Sequence, residues 1–83
     1  MNTINWTRKA VKQLLKLHSR HHQTRDAVSG LKGMPDVVNI KSLTDHDYGY
    51  RLRVGNYRVL FDWDGTIKVV SIQEVKKRDE RTY

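Results

Sequence analysis

Three arginines alternate with apolar residues around one short turn, and side chains of this type could bind phosphate. Residues 50–61 read Tyr-Arg-Leu-Arg-Val-Gly-Asn-Tyr-Arg-Val-Leu-Phe. Period-two alternation on both sides of a Gly-Asn pair predicts a β-hairpin with a two-residue turn at Gly55 and Asn56. In that register Arg53 faces Arg58, and Arg51 projects to the same side. The planar guanidinium group of arginine suits bidentate binding of phosphate oxygens, so this spacing could form an anion-binding site.

The other side of the predicted hairpin is apolar, so the arginine side is either a solvated outer face or an anion-binding site. Arginines on an outer face can simply be solvated, with their stems covering apolar surface. Three of them on one small face repel each other, which favours an anionic ligand. The hairpin sequence alone leaves both interpretations open. The expected core face consists of Tyr50, Leu52, Val54, Tyr57, Val59 and Phe61.

Length, charge and cysteine usage narrow the class of protein. The 83 residues are enough for one small domain, which we place at residues 1–83. The formal net charge of +7 predicts a polyanionic partner, either nucleic acid or an acidic protein. The absence of cysteine excludes disulfides, thiolate nucleophiles and cysteine-ligated zinc. No apolar run has the length of a membrane span and no signal-peptide pattern opens the chain, so we expect a cytoplasmic protein without membrane contacts.

The first third of the chain has helical periodicity. Ile4 and Trp6 alternate in a short stretch that reads as a first strand, and Thr7 can cap the helix that we predict over residues 7–18. A second helix is expected within residues 19–31, ending before Gly33 and Pro35. His18 and His22 have a spacing that can bind a metal on a helix, but no third ligand accompanies them. We therefore expect a packing or solvated role for them and no metal site.

After Pro35 the chain takes strand character. A strand is expected around Val37 to Leu43, then the hairpin, and then a β-branched segment from Ile67 to Ile72 that is apolar on both faces and therefore suits a central strand. A simple turn at Asp64 and Gly65 would place Lys68 opposite Phe61, so we expect a bulge or a longer loop there. The fold class is α+β, in the order β-α-α-β-β-β-β. It has a small, mostly antiparallel sheet of about four to five strands, with two N-terminal helices on one face.

Three segments of the chain resemble the RelE branch of the RelE/ParE toxin superfamily. They are Gly33-Met-Pro-Asp36, the stretch from Tyr50 to Arg58, and the tail Val75-Lys-Lys-Arg-Asp-Glu-Arg-Thr-Tyr83. The resemblance extends over nearly the whole chain. RelE-like toxins are small basic ribonucleases of type II toxin–antitoxin modules that cut mRNA in the ribosomal A site. The resemblance therefore implies a metal-independent endoribonuclease (an mRNA interferase) that inhibits translation and needs no cofactor.

The resemblance also implies a set of site residues. Arg51, Arg53 and Arg58 match basic positions of the family's hairpin, and Tyr83 matches its C-terminal tyrosine. The cation of the tail is Arg78, with Lys77 as the alternative. These five catalytic candidates are Arg51, Arg53, Arg58, Arg78 and Tyr83, and we expect RNA-binding contacts from Lys41, Lys76, Lys77 and Arg81.

The base that accepts the 2′-hydroxyl proton is left open by the sequence. The RelE prototype has lysines where Arg51 and Arg53 stand, and arginine stays protonated in proteins, which makes it a poor proton acceptor. The candidates are Tyr83, the loop residues Asp45, His46 and Asp47, or no protein base at all. We expect the arginines to act mainly by electrostatics, with Tyr83 stacking on a base or assisting proton transfer.

The resemblance implies definite partners and leaves alternative functions. The partners are an acidic antitoxin that forms a hetero-oligomer with the toxin, the ribosome and mRNA. One alternative is a non-catalytic toxin like ParE, which acts on DNA gyrase. Another is a plain nucleic-acid-binding domain, but the sequence contains no helix-turn-helix, zinc finger or aromatic stacking sheet.

Overall fold

The computed structural model of the chain describes residues 1–17 and 21–77, and these form two helices packed on a five-stranded sheet. The predicted α+β class and the predicted element order are both confirmed. No helix in these two ranges is long and apolar enough to cross a lipid bilayer. The elements are β1 (Thr3–Trp6), α1 (Arg8–Leu15), α2 (His21–Ser29), a 3-10 helix (Gly30–Gly33), β2 (Ile40–Ser42), β3 (Tyr50–Val54), β4 (Tyr57–Asp64) and β5 (Val69–Lys77).

Helix α1 begins where the sequence predicts it. The Thr7 hydroxyl accepts a hydrogen bond from the Ala10 backbone N–H at 3.2 Å and donates one to the Ile72 carbonyl at 2.7 Å. Thr7 therefore caps the helix and also fastens it to β5. The helix ends at Leu15, earlier than predicted, and the Leu17 N–H bonds the Leu14 carbonyl in a tighter final turn.

The second helix is present and passes into a 3-10 turn. Buried Thr24, Val28 and Leu31 bring α2 and the 3-10 helix against the sheet. His18 lies outside the described residues, whereas His22 contacts the Arg25 guanidinium through its Nδ1 atom at 3.1 Å. Within the described ranges there is no cluster of three or more histidine, aspartate or glutamate residues that could hold a metal ion.

The strands lie in the order β1-β5-β4-β3-β2, with β1 parallel to β5 and every other pair antiparallel. Strand β5 is an interior strand, as its two apolar faces predict. The strand expected around Val37 to Leu43 is reduced to Ile40–Ser42. Asn39 has a φ of 66°, a left-handed conformation that interrupts extended backbone, and Val38 is exposed.

The register problem between β4 and β5 is solved by a longer turn. Phe61 pairs with Ile72 rather than with Lys68, because the turn spans residues 65–68. A bulge follows between Leu60 and Phe61 and shifts the register of the remaining pairs, so that Leu60 pairs with Glu74. The Asp64 carboxylate stabilises this turn by accepting the backbone N–H groups of Thr66 and Ile67 at 2.9 and 3.2 Å. Ile67 is therefore an exposed turn residue, and the prediction that the last strand starts there is wrong.

The core lies between the helices and one face of the sheet. Val59, Phe61, Val70 and Ile72 have no measurable exposure, and the Tyr50 ring stacks on Phe61 at 5.4 Å between centroids. The apolar face predicted for the hairpin is confirmed for Leu52, Val54, Val59 and Phe61, with Tyr50 packed against them. The sixth predicted member, Tyr57, is only half-buried and is not part of the core cluster. The buried core cluster is Ala10, Val28, Leu31, Met34, Leu52, Val54, Val59, Phe61, Val70, Ile72 and Val75.

Candidate nucleic-acid interface

The hairpin has the predicted register. Arg53 pairs with Arg58 and Val54 with Tyr57 across the turn, where Gly55 has a φ of +54°. A positive φ favours glycine at this position. Because side chains alternate along a strand, Arg51, Arg53 and Arg58 project from the face of the sheet opposite the core. The prediction that they share one face is confirmed.

The neighbouring strands add two lysines to this face. Lys41 of β2 lies opposite Arg51, and Lys76 of β5 lies opposite Arg58. We call this set the basic face; its members are Lys41, Arg51, Arg53, Arg58 and Lys76. Lys77 lies opposite Tyr57, so its strand register directs it to the core side of the sheet and away from the basic face.

An apolar residue lies at the centre of the basic face. Leu60 projects to this side, between Arg51 on β3 and Glu74 on β5, and yet it is only 5% exposed. Arg51 and Arg58 are half-buried, whereas Arg53 is exposed. The aliphatic stems of arginine can cover such a leucine while the guanidinium groups remain in water. Leu60 is therefore a buried apolar residue between the charged side chains of β3 and β5.

The Arg51 side chain has an unused donor. Its Nε atom is buried and has no hydrogen-bond partner among the residues that the structure describes. A buried donor without an acceptor costs about 1–3 kcal/mol.

The structure also places a carboxylate on the basic face that sequence reasoning missed. Glu74 is 8% exposed and forms ion pairs with Lys9 of α1 and with Lys76, the latter at 3.4 Å. Burial acts to raise the pKa of Glu74, but the hydrogen bonds from Lys9 and Lys76 outweigh it and hold this pKa below its ordinary value. The hydrogen bond to Glu74 raises the pKa of Lys9 in turn. No local sequence signal identifies this cluster, because the bulge alters the alternation before Glu74 and Lys9 lies at the other end of the chain.

The loop that supplied three candidate bases lies towards the other end of the face. Its last residue, Gly49, donates its N–H to Asp62 at 2.7 Å, and the second carboxylate oxygen of Asp62 accepts from Gln73 at 3.2 Å. Asp62 follows Arg58 by four positions on β4, which corresponds to about 13 Å along a strand. The anchor at Gly49 is thus distant from the Arg53–Arg58 pair along the sheet, whereas Tyr48 of the same loop lies close enough to Lys9 to help raise its pKa. The exposed candidates in this loop are Asp45, His46 and Asp47.

Three of the predicted site residues lie outside the described residues, and their roles stay predictions: Arg78, Arg81 and Tyr83. Strand β5 is described as far as Lys77, which pairs with Tyr57 beside the hairpin turn.

Comparison with known proteins identifies the fold. No protein-family model matches the chain, and no curated protein matches it. Among solved structures, the RelBE2 toxin–antitoxin complex from Mycobacterium tuberculosis contains a chain 25% identical, with a TM-score of 0.77, over 93% of this chain and 98% of that one. A chain of the RelE–RelB complex from Pyrococcus horikoshii is 22% identical, with a TM-score of 0.78, over 95% and 97%. The isolated RelE toxin of E. coli is 18% identical, with a TM-score of 0.78, over 96% and 87%. These alignments span almost the whole sheet and both helices, so the chain has the fold of the RelE toxins.

Proposed function

We propose that this protein is the toxin of a type II toxin–antitoxin module and acts as a ribosome-dependent mRNA endonuclease. The RelE-like fold supports the toxin assignment, since several structures with this fold are RelE toxins in complex with RelB antitoxins. The observation that carries the nuclease assignment is the basic face, where Arg53 and Arg58 lie directly opposite each other with Arg51 and two lysines beside them.

The proposed reaction is a transesterification within RNA. The ribose 2′-oxygen attacks the adjacent phosphorus, and the bond from phosphorus to the 5′-oxygen breaks. The 2′-hydroxyl loses its proton and the leaving 5′-oxygen gains one, so the products are a 2′,3′-cyclic phosphate and a 5′-hydroxyl. The phosphorane formed in between carries additional negative charge, and fixed guanidinium groups stabilise that charge more than the ground state.

In this proposal Arg51, Arg53 and Arg58 act on the scissile phosphate and its neighbours. Arg78 and Tyr83 join them on the basis of the family resemblance. Glu74 is a carboxylate on the same face, but its lowered pKa and its two ammonium partners make it a weak proton acceptor. Electrostatic stabilisation is therefore the main contribution of the described residues, and the cytoplasm is the compartment where ribosomes are available as the target.

The proposed regulator is an acidic antitoxin. A protein with a net charge of +7 attracts an acidic chain, and salt should slow the association of the two. Covering the basic face would block access of RNA to the arginines, which is a sufficient mechanism of inhibition.

The test is cleavage of mRNA on programmed ribosomes by the wild-type protein and by Arg58→Ala and Arg78→Ala. Each variant should lower the cleavage rate more than tenfold because each removes a cation from the transition state. Lys32→Ala, which removes an exposed cation near Met1 and Trp63, serves as the matched control. The products should carry a 2′,3′-cyclic phosphate and a 5′-hydroxyl.

Two outcomes would contradict the proposal. Products with a 3′-hydroxyl would indicate a metal-dependent nuclease. Intact protein synthesis with arrested DNA synthesis, on expression without a partner, would indicate a gyrase poison of the ParE kind.

A further inference from the structure

The buried carboxylate of Glu74 joins two lysines from different elements. Its two oxygens bind the Nζ atoms of Lys9 on α1 and Lys76 on β5 separately. Glu74 projects to the same side of the sheet as Arg58, because Glu74 pairs with Leu60 and Lys76 with Arg58. The contact therefore brings the ammonium group of Lys9 to the edge of the basic face.

The Lys9–Glu74–Lys76 cluster is not needed to attach α1 to the sheet. The helix is already attached to β5 by the Thr7 hydroxyl, which donates to the Ile72 carbonyl at 2.7 Å. It is attached a second time through Gln13, whose side-chain oxygen accepts the Val75 N–H at 2.7 Å. A buried carboxylate loses hydration, and its ion pairs often add little net stability. The cluster is therefore better explained by where it holds its lysines.

The Glu74 carboxylate lies between two positively charged side chains. Lys76 lies opposite Arg58, and Lys9 binds the same carboxylate from the helix, so Glu74 holds two further cations on the side of the sheet that carries Arg58. A negative charge between the two lysines offsets their mutual repulsion. The side chains of both lysines are open to solvent, with 59% of Lys9 and 51% of Lys76 exposed.

We propose that Glu74 is a positioning residue that holds Lys9 and Lys76 as RNA phosphate contacts, so that the RNA-binding surface extends from the hairpin across β5 onto α1. Lys9 is a new member of this surface. The inference rests on the proposed function only in taking RNA as the polyanion.

The experiment measures binding of a short fluorescein-labelled single-stranded RNA by anisotropy, over a series of salt concentrations. Lys9→Gln should reduce the salt slope by about 0.7, the value for one phosphate contact on a single strand. If the variant and the wild-type protein bind equally at about 1 M salt, the variant should bind RNA about fivefold more weakly at about 0.1 M salt. Lys32→Gln is the matched control, since it removes the same charge from a residue that lines a cavity with Met1 and Trp63, at the other end of the sheet from the hairpin turn.

Glu74→Gln distinguishes positioning from bulk charge. This change raises the net charge from +7 by one, so unspecific attraction alone predicts tighter RNA binding. The positioning role predicts weaker binding, because Lys9 and Lys76 lose their anchor. It also predicts that Lys9→Gln has little further effect in the Glu74→Gln background.

Several results would overturn the inference. One is tighter RNA binding by Glu74→Gln, and another is an equal loss of RNA affinity in Lys9→Gln and Lys32→Gln. A third is that the wild-type protein does not bind RNA at low salt. A fourth is that Lys9→Gln weakens binding of an acidic antitoxin peptide but leaves RNA binding unchanged. Circular dichroism of each variant establishes that it is folded, and the surface substitution Lys9→Gln keeps the test decisive if Glu74→Gln unfolds. RNA binding that depends on Lys9 without mRNA cleavage would support the inference and refute the proposed nuclease. mRNA cleavage that is unchanged in Lys9→Gln and Glu74→Gln would support the proposed nuclease and refute the inference.

Discussion

The arginine pair of the hairpin should cost the protein stability, and this cost can be measured. The Arg53 N–H points away from β4 and donates to the carbonyl of Asn39, the residue before β2, so Arg53 and Arg58 form a non-hydrogen-bonded cross-strand pair. Side chains come closest together in pairs of this kind. We therefore choose Arg53→Glu, which replaces two facing cations by an ion pair at an exposed position.

The magnitude follows from the charges and their surroundings. Two unit charges about 7 Å apart, screened as in bulk water because Arg53 is exposed, interact by about 0.6 kcal/mol. Reversing one charge removes a repulsion of that size and adds an attraction of similar size, which gives about 1 kcal/mol of added stability. In a domain of this length that corresponds to a rise in Tm of about 4–8 °C. Arg53→Gln removes only the repulsion and should gain about half as much.

The assay is thermal and urea unfolding of the wild-type protein and both variants at low and high salt. The gain should shrink strongly near 1 M salt, where the Debye length is about 3 Å. Cleavage of ribosome-bound mRNA should fall more than tenfold in Arg53→Glu although the protein is more stable. Refutation would come from a loss of stability at low salt, or from a gain that persists unchanged at high salt.

Three further predictions concern the residues around the basic face and the turn beyond it. Leu60→Ala should destabilise the protein by about 2 kcal/mol in urea unfolding, at the low end for buried leucine because arginine stems can settle into the space; an unchanged midpoint would contradict this. Gly65→Ala should cost about 1–3 kcal/mol, since its Cβ would lie 2.9 Å from the Trp63 ring, whereas Gly30→Ala, with open space, should be neutral or slightly stabilising. The pKa of Glu74 is lowered by folding, so its ion pairs stabilise the protein above about pH 4.5 and are lost as the pH falls through the folded pKa. Urea unfolding at a series of pH values should therefore show a flatter acid limb for Glu74→Gln, and parallel curves would refute the assignment.

The sequence determined those features whose cause is local. The pairing of Arg53 with Arg58 follows from alternation and a two-residue Gly-Asn turn, both contained within residues 50–61. The start of α1 follows from a hydroxyl side chain at Thr7 placed before a helical apolar pattern. The end of that helix and the length of β2 were predicted less well, because a tighter turn after Leu14 and the left-handed Asn39 have no comparably strong signal in the sequence.

Only the tertiary structure decided which distant residues join the arginines. The bulge between Leu60 and Phe61 sets the register that directs Glu74 to the basic face, and β1 beside β5 brings α1 close enough for Lys9 to reach it. The register between β4 and β5 depends on the length of the turn at residues 65–68 and on the packing of both faces, so it is a property of the whole sheet. Contacts between residues far apart in the chain leave no periodic trace in either segment, and the Lys9–Glu74–Lys76 cluster therefore becomes visible only when the sheet and helix are assembled.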